Sequence, residues 1–228
     1  ATATVTPRDG DGHRSIDMTM SGLAPRDLTL AVQSPEMFYA DTPISGRLRT
    51  RLDNAGDPSD FSGTVTLGSG RVGDLRDQSL RIAIDQVSAE VHWQAGGPGL
   101  VIDRVRVAAG EDRAELSGVV TPPARQGDPL VVHIAELTAN TSALNPHEPP
   151  VPITVRNARF VYDLASRRLT ANDLAIGQGG DPLVRLNLGV RLEGASPAIS
   201  IDLVAEKMPL ATALALWPRA TNPHVRDW

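Results

Sequence analysis

Leu100-Val-Ile-Asp-Arg-Val-Arg-Val-Ala-Ala-Gly110-Glu-Asp-Arg-Ala-Glu-Leu-Ser-Gly-Val-Val120 decides the fold class. Leu100 and Ile102, Val105 and Val107, then Ala114, Leu116 and Val120 recur at steps of two, with Asp, Arg, Glu and Ser between them. Successive side chains of extended backbone point to opposite sides, so this alternation predicts strands with one apolar and one wet face. Ala109-Gly-Glu-Asp112 holds the residues that reverse a chain, which makes the stretch a β-hairpin. Between Ile102 and Val105 the apolar step is odd, as it is where a β-bulge inserts one extra residue.

The same pattern runs outward in both directions. Towards the N-terminus lie Ile16/Met18/Met20, Leu48 and Leu52 between Arg47, Arg49 and Arg51, Phe61/Val65/Leu67, Leu80/Ile82/Ile84 and Ala89/Val91/Trp93. Towards the C-terminus follow Leu130/Val132/Ile134, Ile153/Val155, Phe160/Tyr162, Leu169/Ala171, Leu174/Ile176, Val184 to Leu192 and Ile199/Ile201/Leu203. About a dozen strands result, joined by short Gly-, Pro-, Asp- and Asn-rich turns with no room for crossover helices. The expectation is an all-β protein: a long, curved, mainly antiparallel sheet of repeated hairpins with one or two short helices. The clearest helix starts at Pro209 and runs to Trp217 before Pro218, while Leu28 to Tyr39 reads either as strand or as a turn of helix. Residues 1–145 form the first part of the sheet, 146–207 continue its hairpins and 208–228 form a short helical insertion, within one continuous domain.

A repeat supports that organisation. Shifting the sequence by 69 positions lays Ala89-Glu-Val-His-Trp-Gln over Ala158-Arg-Phe-Val-Tyr-Asp, Leu100 over Leu169, Val105 over Leu174 and Gly110 over Gly179. The odd apolar step recurs in the second copy, between Ala171 and Leu174, so a second bulge is expected there.

Composition excludes several function classes. The 228 residues carry a net charge of -5, with 21 Arg, one Lys, 19 Asp, 8 Glu, 20 Gly, 18 Pro, 8 aromatics and no Cys. Scarce Glu and Lys argue against helical bundles, and the lack of a basic run argues against nucleic acid. Without cysteine there is no disulfide framework or thiol nucleophile. No apolar run approaches the length of a membrane helix, and Ala1 to Pro7 has no signal-peptide pattern, so the chain reads as a piece of a longer protein.

The chemical motifs are weak. Gly68-Ser-Gly-Arg-Val-Gly73 has the spacing of a dinucleotide loop but no amphipathic helix after it, and reads as a glycine-rich turn. Asp9-Gly-Asp-Gly-His13 lacks the later ligands of a calcium loop. His13, His92, His133, His147 and His224 have no metal-ligand spacing, and no Gly-x-Ser-x-Gly elbow is present. The many carboxylates fit wet strand faces better than a glycosidase pair, for which the aromatic sugar platform is missing, and the strands lack the aromatic girdles of an outer-membrane barrel. The reading is non-enzymatic, without cofactor or metal. The apolar faces either pack on each other in a sandwich or line a groove for an apolar ligand, and the sequence leaves both open.

Met208-Pro-Leu-Ala-Thr-Ala-Leu-Ala-Leu-Trp217-Pro-Arg-Ala-Thr-Asn-Pro-His-Val-Arg226-Asp-Trp228 resembles a segment of the AsmA-like proteins, in which a short helix ending in Trp-Pro leads to Arg-x-Trp. Thr42-Pro-Ile-Ser-Gly46 with its following strand and Leu67-Gly-Ser-Gly70 resemble another stretch of that family, and the hairpin repeat resembles its repeating β units. The resemblance covers residues 27 to 228. It implies a periplasmic bridge, anchored to the inner membrane by a segment outside this chain, whose apolar β-groove shields phospholipid acyl chains. Inner- and outer-membrane proteins would meet the ends of the full-length protein. The groove residues expected on that basis are Ile82, Val91, Trp93, Ile102, Val107, Leu116, Val132, Phe160, Leu174, Leu186, Val190 and Ile201. Gly63, Gly118 and Gly189 are expected where the sheet curves or neighbouring backbones come close. A ligand-free structural sandwich or solenoid module is the alternative.

Overall fold

The computed structural model describes residues 1–7, 13–24, 38–74, 81–125, 127–141, 151–178, 181–191 and 198–205. These form fifteen strands: β1 (Thr2–Thr6), β2 (Arg14–Leu23), β3 (Phe38–Ala40), β4 (Ile44–Leu52), β5 (Pro58–Leu67), β6 (Gly70–Asp74), β7 (Ile82–Ile84), β8 (Gln86–Gln94), β9 (Leu100–Ala109), β10 (Asp112–Thr121), β11 (Leu130–Thr141), β12 (Val151–Asp163), β13 (Arg168–Gln178), β14 (Asp181–Arg191) and β15 (Ala198–Val204). Twelve of them make one sheet in the order β1-β2-β4-β5-β8-β9-β10-β11-β12-β13-β14-β15, and β3-β6-β7 make a smaller one. Every pairing is antiparallel, and the large sheet is not closed into a barrel, so the expected long curved all-β sheet is what the chain forms.

The helix expected at 209–217, the calcium-like Asp9 and Asp11, most of Leu28–Tyr39, and the boundaries at 145/146 and 207/208 lie outside the described residues. On either side of the first boundary, β11 and β12 pair from Leu130↔Tyr162 to Thr141↔Val151.

The turns are built as their residues dictate. Asp53 Oδ1 accepts the N–H groups of Ala55 and Asp57, with Gly56 at φ 92° completing the reversal. Asp163 Oδ1 does the same for Ala165 and Ser166, and these N–H groups hold the Asp163 carboxyl below its ordinary pKa.

Both expected bulges are present. Leu116↔Val105 is followed by Gly118↔Ile102, and Ala171↔Leu188 by Leu174↔Leu186. Two further odd steps lie between them: Ile134 to Leu137 on β11 faces Ala158 to Val155 on β12. Together these form a seam crossing β9 to β13, at which pairs of consecutive residues turn to the same side. Asn157 and Asp173 on this seam both adopt φ 53°, a left-handed conformation that Asn and Asp tolerate better than most residues.

The small sheet was not foreseen, and it corrects the reading of Gly68–Gly73 as a simple turn. Gly68 does reverse against Pro43, its N–H bonding the Pro43 carbonyl at 2.8 Å, but Gly70–Asp74 continues as β6. The strand order β3-β6-β7 repeats the order β4-β5-β8, and each strand of the first set leads directly into, or out of, its counterpart in the second. Three strands therefore run through a corner at 41–43, 68–69 and 85. Asp41 ties that corner: its carboxylate accepts the Arg71 N–H and the Tyr39 hydroxyl, and the first of these bonds is the main cause of its lowered pKa. Arg81 stacks 3.8 Å over the Tyr39 ring, and Thr42 is fully buried in the bend.

Candidate functional site

Directly opposed residues of antiparallel strands share a face, so the register assigns side chains to sides. Starting from Val91, the ladder runs through Gly63 and Leu48 to Met18 in one direction. In the other it runs through Ile102 and Gly118 to Ile134, Ala158 and beyond. Every position on this path is apolar. Eleven of the twelve expected groove residues lie on this one face: Val91, Trp93, Ile102, Val107, Leu116, Val132, Phe160, Leu174, Leu186, Val190 and Ile201. Ile82 does not. It sits on β7, across the corner, 63% exposed and paired with Val72 of the small sheet, because a strand that leaves one sheet for another loses the first sheet's facing.

The expected list took about one residue per strand, and the face also holds Leu48, Phe61, Val105, Leu137, Leu188 and Leu203. Their alternation was visible; the missing signal was which residues of neighbouring strands stand abreast.

The bulge seam keeps the face continuous. Where the apolar step is odd, the extra residue goes to the opposite side, so Asp103 and Arg104 both point away from Ile102 and Val105. Asp103 meets His92 Nδ1 at 2.8 Å, and Arg104 meets Glu115 at 3.0 Å. Asp173 likewise reaches Arg185 at 2.8 Å. Without these insertions a one-residue slip would turn half of each strand's apolar set outward.

The apolar face is neither buried like a core nor exposed like an ordinary surface. Among the described residues only Met20, Ile84, Val155, Ala158, Ala171 and Val184 are buried hydrophobics, and Ile84 belongs to the small sheet. Val91, Trp93, Ile102, Leu116, Phe160 and Leu186 remain half-buried. A sandwich would bury these positions under a second sheet, so the described strands do not close on themselves as one. At about 4.8 Å per strand and 3.3 Å per residue, twelve strands of this length span roughly 50 by 30 Å, well beyond the few hundred square ångströms of apolar patch usual on a soluble monomer.

Two glycines on this face mark where neighbouring backbone stands close over it. A Cβ on Gly46 would lie 2.5 Å from the Thr64 carbonyl oxygen, and one on Gly118 would strike the His133 carbonyl oxygen and stand 3.1 Å from Ile134 Cα. At both places the adjacent backbone rises on the apolar side. Gly63 is covered there by the Leu48 side chain, whereas Gly189 faces the charged side and meets only the Ser200 hydroxyl.

The opposite face is a lattice of cross-strand ion pairs: Arg49–Asp17, Arg51–Asp60, Arg104 and Arg106 with Glu115, Arg156–Glu136 and Arg185–Asp173. These pairs lie at the surface, with Asp17 half-buried, so they serve register more than stability. The Arg106 hydrogen bond, with Arg104 beside it, holds the Glu115 carboxyl below its ordinary pKa, and Asp17 raises that of Arg49. Two shallow depressions, of 460 Å³ beside Arg106, Arg113 and Glu115 and of 640 Å³ beside Arg47, Arg49 and His92, open between these rows. Of the side chains around them, Arg106 already pairs with Glu115, Arg49 with Asp17 and His92 with Asp103, and Arg113 bonds the Gly110 and Asp112 carbonyls.

Comparison with protein-family models, curated proteins and solved structures finds no match for this chain.

Proposed function

We propose that this chain is a non-enzymatic segment of an AsmA-like bridge protein, whose apolar face shields phospholipid acyl chains during transport between membranes in the periplasm. One observation carries the reading: among the described residues a single continuous apolar face runs across twelve strands, with neighbouring backbone close over it at Gly46 and Gly118, while the cross-strand ion pairs found there lie on the other face. Each acyl methylene sheltered from water is worth about 0.8 kcal/mol. Contact of this kind is non-directional, so a chain can slide along rows of Leu, Ile and Val without breaking polar bonds. The Arg, Asp and Glu lattice keeps the reverse side wetted. The Trp-Pro and Arg-x-Trp motifs support the family assignment, the inner-membrane tether and membrane proteins at the ends of the longer chain as partners.

The test is a photo-crosslinking amino acid at Leu186, on the apolar face, and separately at Arg185, its neighbour on the charged face, followed by organic extraction and mass spectrometry. Phospholipid attached through position 186 alone is the expected result. A folded protein without lipid, unreactive at both positions, would overturn the proposal in favour of a structural module whose apolar face is covered by protein.

A further inference from the structure

We infer that β15 is a self-complementary edge through which two copies of this chain pair into one continuous sheet; the pairing uses the open backbone edge of the strand, while Ile199, Ile201 and Leu203 stay on the apolar face. Among the described residues the large sheet ends in two open strands, β1 and β15. β15 is exposed along its whole length, with Ile199 61%, Ile201 57%, Leu203 55% and Val204 64% accessible. Edge strands of soluble proteins are ordinarily blunted by Pro, Lys or inward charges. Ala198-Ile-Ser-Ile-Asp-Leu-Val204 has no Pro or Lys, and its one charge, Asp202, points to the wet side with Asn187.

The sequence of β15 selects its occupant. A two-fold axis perpendicular to the sheet makes β15 antiparallel to its own copy and keeps both apolar faces on one side. Residues of like parity must then stand opposite. With Ile201 on the axis, all seven residues overlap: Ile201 faces Ile201, Ile199 faces Leu203, Ser200 faces Asp202 and Ala198 faces Val204. Moving the axis to Asp202 sets two carboxylates opposite each other, which is destabilising. Moving it to Ser200 leaves Leu203 and Val204 without partners. The other open edge fits less well, since β1 offers only Ala3 and Val5 on the apolar side and is five residues long. Closed two-fold pairing is also the commonest way for a chain to meet its copy.

The chain contains no cysteine, so one introduced thiol reports this register without background. Opposed residues in antiparallel strands have Cα atoms about 4.5–5.5 Å apart, within disulfide range. Two Ile199 residues would stand four positions apart along the strands, about 13 Å, and out of range. The expected result is a dimer of the wild-type chain in sedimentation velocity, oxidative cross-linking of the Ile201→Cys chain, and none of the Ile199→Cys chain. An Ile201→Lys chain with an unchanged circular dichroism spectrum is expected to sediment as a monomer, its dimer at least tenfold weaker. A wild-type monomer at every concentration overturns the inference. So does equal cross-linking at 199 and 201, or a ladder of species beyond the dimer, which would mean β15-to-β1 addition.

Discussion

Replacing Gly46 by Ala tests the close approach of β5 backbone over the apolar face. The added methyl would sit 2.5 Å from the Thr64 carbonyl oxygen, where ordinary contact begins near 3.4 Å, so β4 and β5 must part by about 0.9 Å at a pair held by the ladder. Overpacking of this kind costs about 1–3 kcal/mol. Against it stands the roughly 0.5–1 kcal/mol that losing a glycine's freedom in the unfolded chain returns. The net expectation is a loss of about 1–2 kcal/mol. Gly189→Ala is the matched control: its methyl comes equally close, at 2.6 Å, but to the Ser200 hydroxyl, which can rotate away. That variant should stay within about 0.5 kcal/mol of wild type. Urea unfolding read by circular dichroism resolves the difference, since with a slope of about 2–3 kcal/mol/M the Gly46→Ala midpoint falls by roughly half a molar. Equal midpoints for Gly46→Ala and wild type, or equal losses for both variants, would refute the argument that the adjacent backbone closes over the apolar side.

Asp in place of Leu186 or Val190 is expected to stop lipid cross-linking at neighbouring apolar positions while the circular dichroism spectrum is kept; undiminished cross-linking in a folded double variant would take both residues out of the lipid path. Asn157 and Asp173 hold left-handed backbone, so Gly at either should be neutral or stabilising, while Val should cost about 1–3 kcal/mol in thermal or urea unfolding. Glu115, Asp41 and Asp163 have lowered pKa values in the folded chain, so their stabilising effect is present above the unfolded values of 4.5 and 3.8 and is lost as pH falls below them. Urea midpoints should therefore drop on acidification below about pH 4.5, and Glu115→Gln should flatten part of that slope. Because these groups are exposed, 1 M salt should change the neutral-pH midpoint little.

The alternation of Leu100–Val120 and its counterparts carried the large sheet, and the odd steps at 102–105 and 171–174 carried two of its bulges. The odd steps at 134–137 and 155–158 left the same trace, an apolar step of three, but the 69-residue repeat does not match either of them to a counterpart. The small sheet was not legible, because β3 and β7 have three residues each, too few for a period to show. Ile82 was misplaced for the same reason: no local pattern says that a strand changes sheets at Asp85. Whether the apolar face is covered depends on what stands opposite it, which the alternation within a strand does not encode.

The meander has a mechanical consequence. In the large sheet each strand is hydrogen-bonded only to the one before and the one after in sheet order, and most of these neighbours are adjacent in sequence. Such an array is nearly one-dimensional: its stability is a sum over neighbouring strands, and hairpins can nucleate separately and grow towards each other. Pulled from the β15 end, it would unzip hairpin by hairpin at low force, each released strand exposing the next edge.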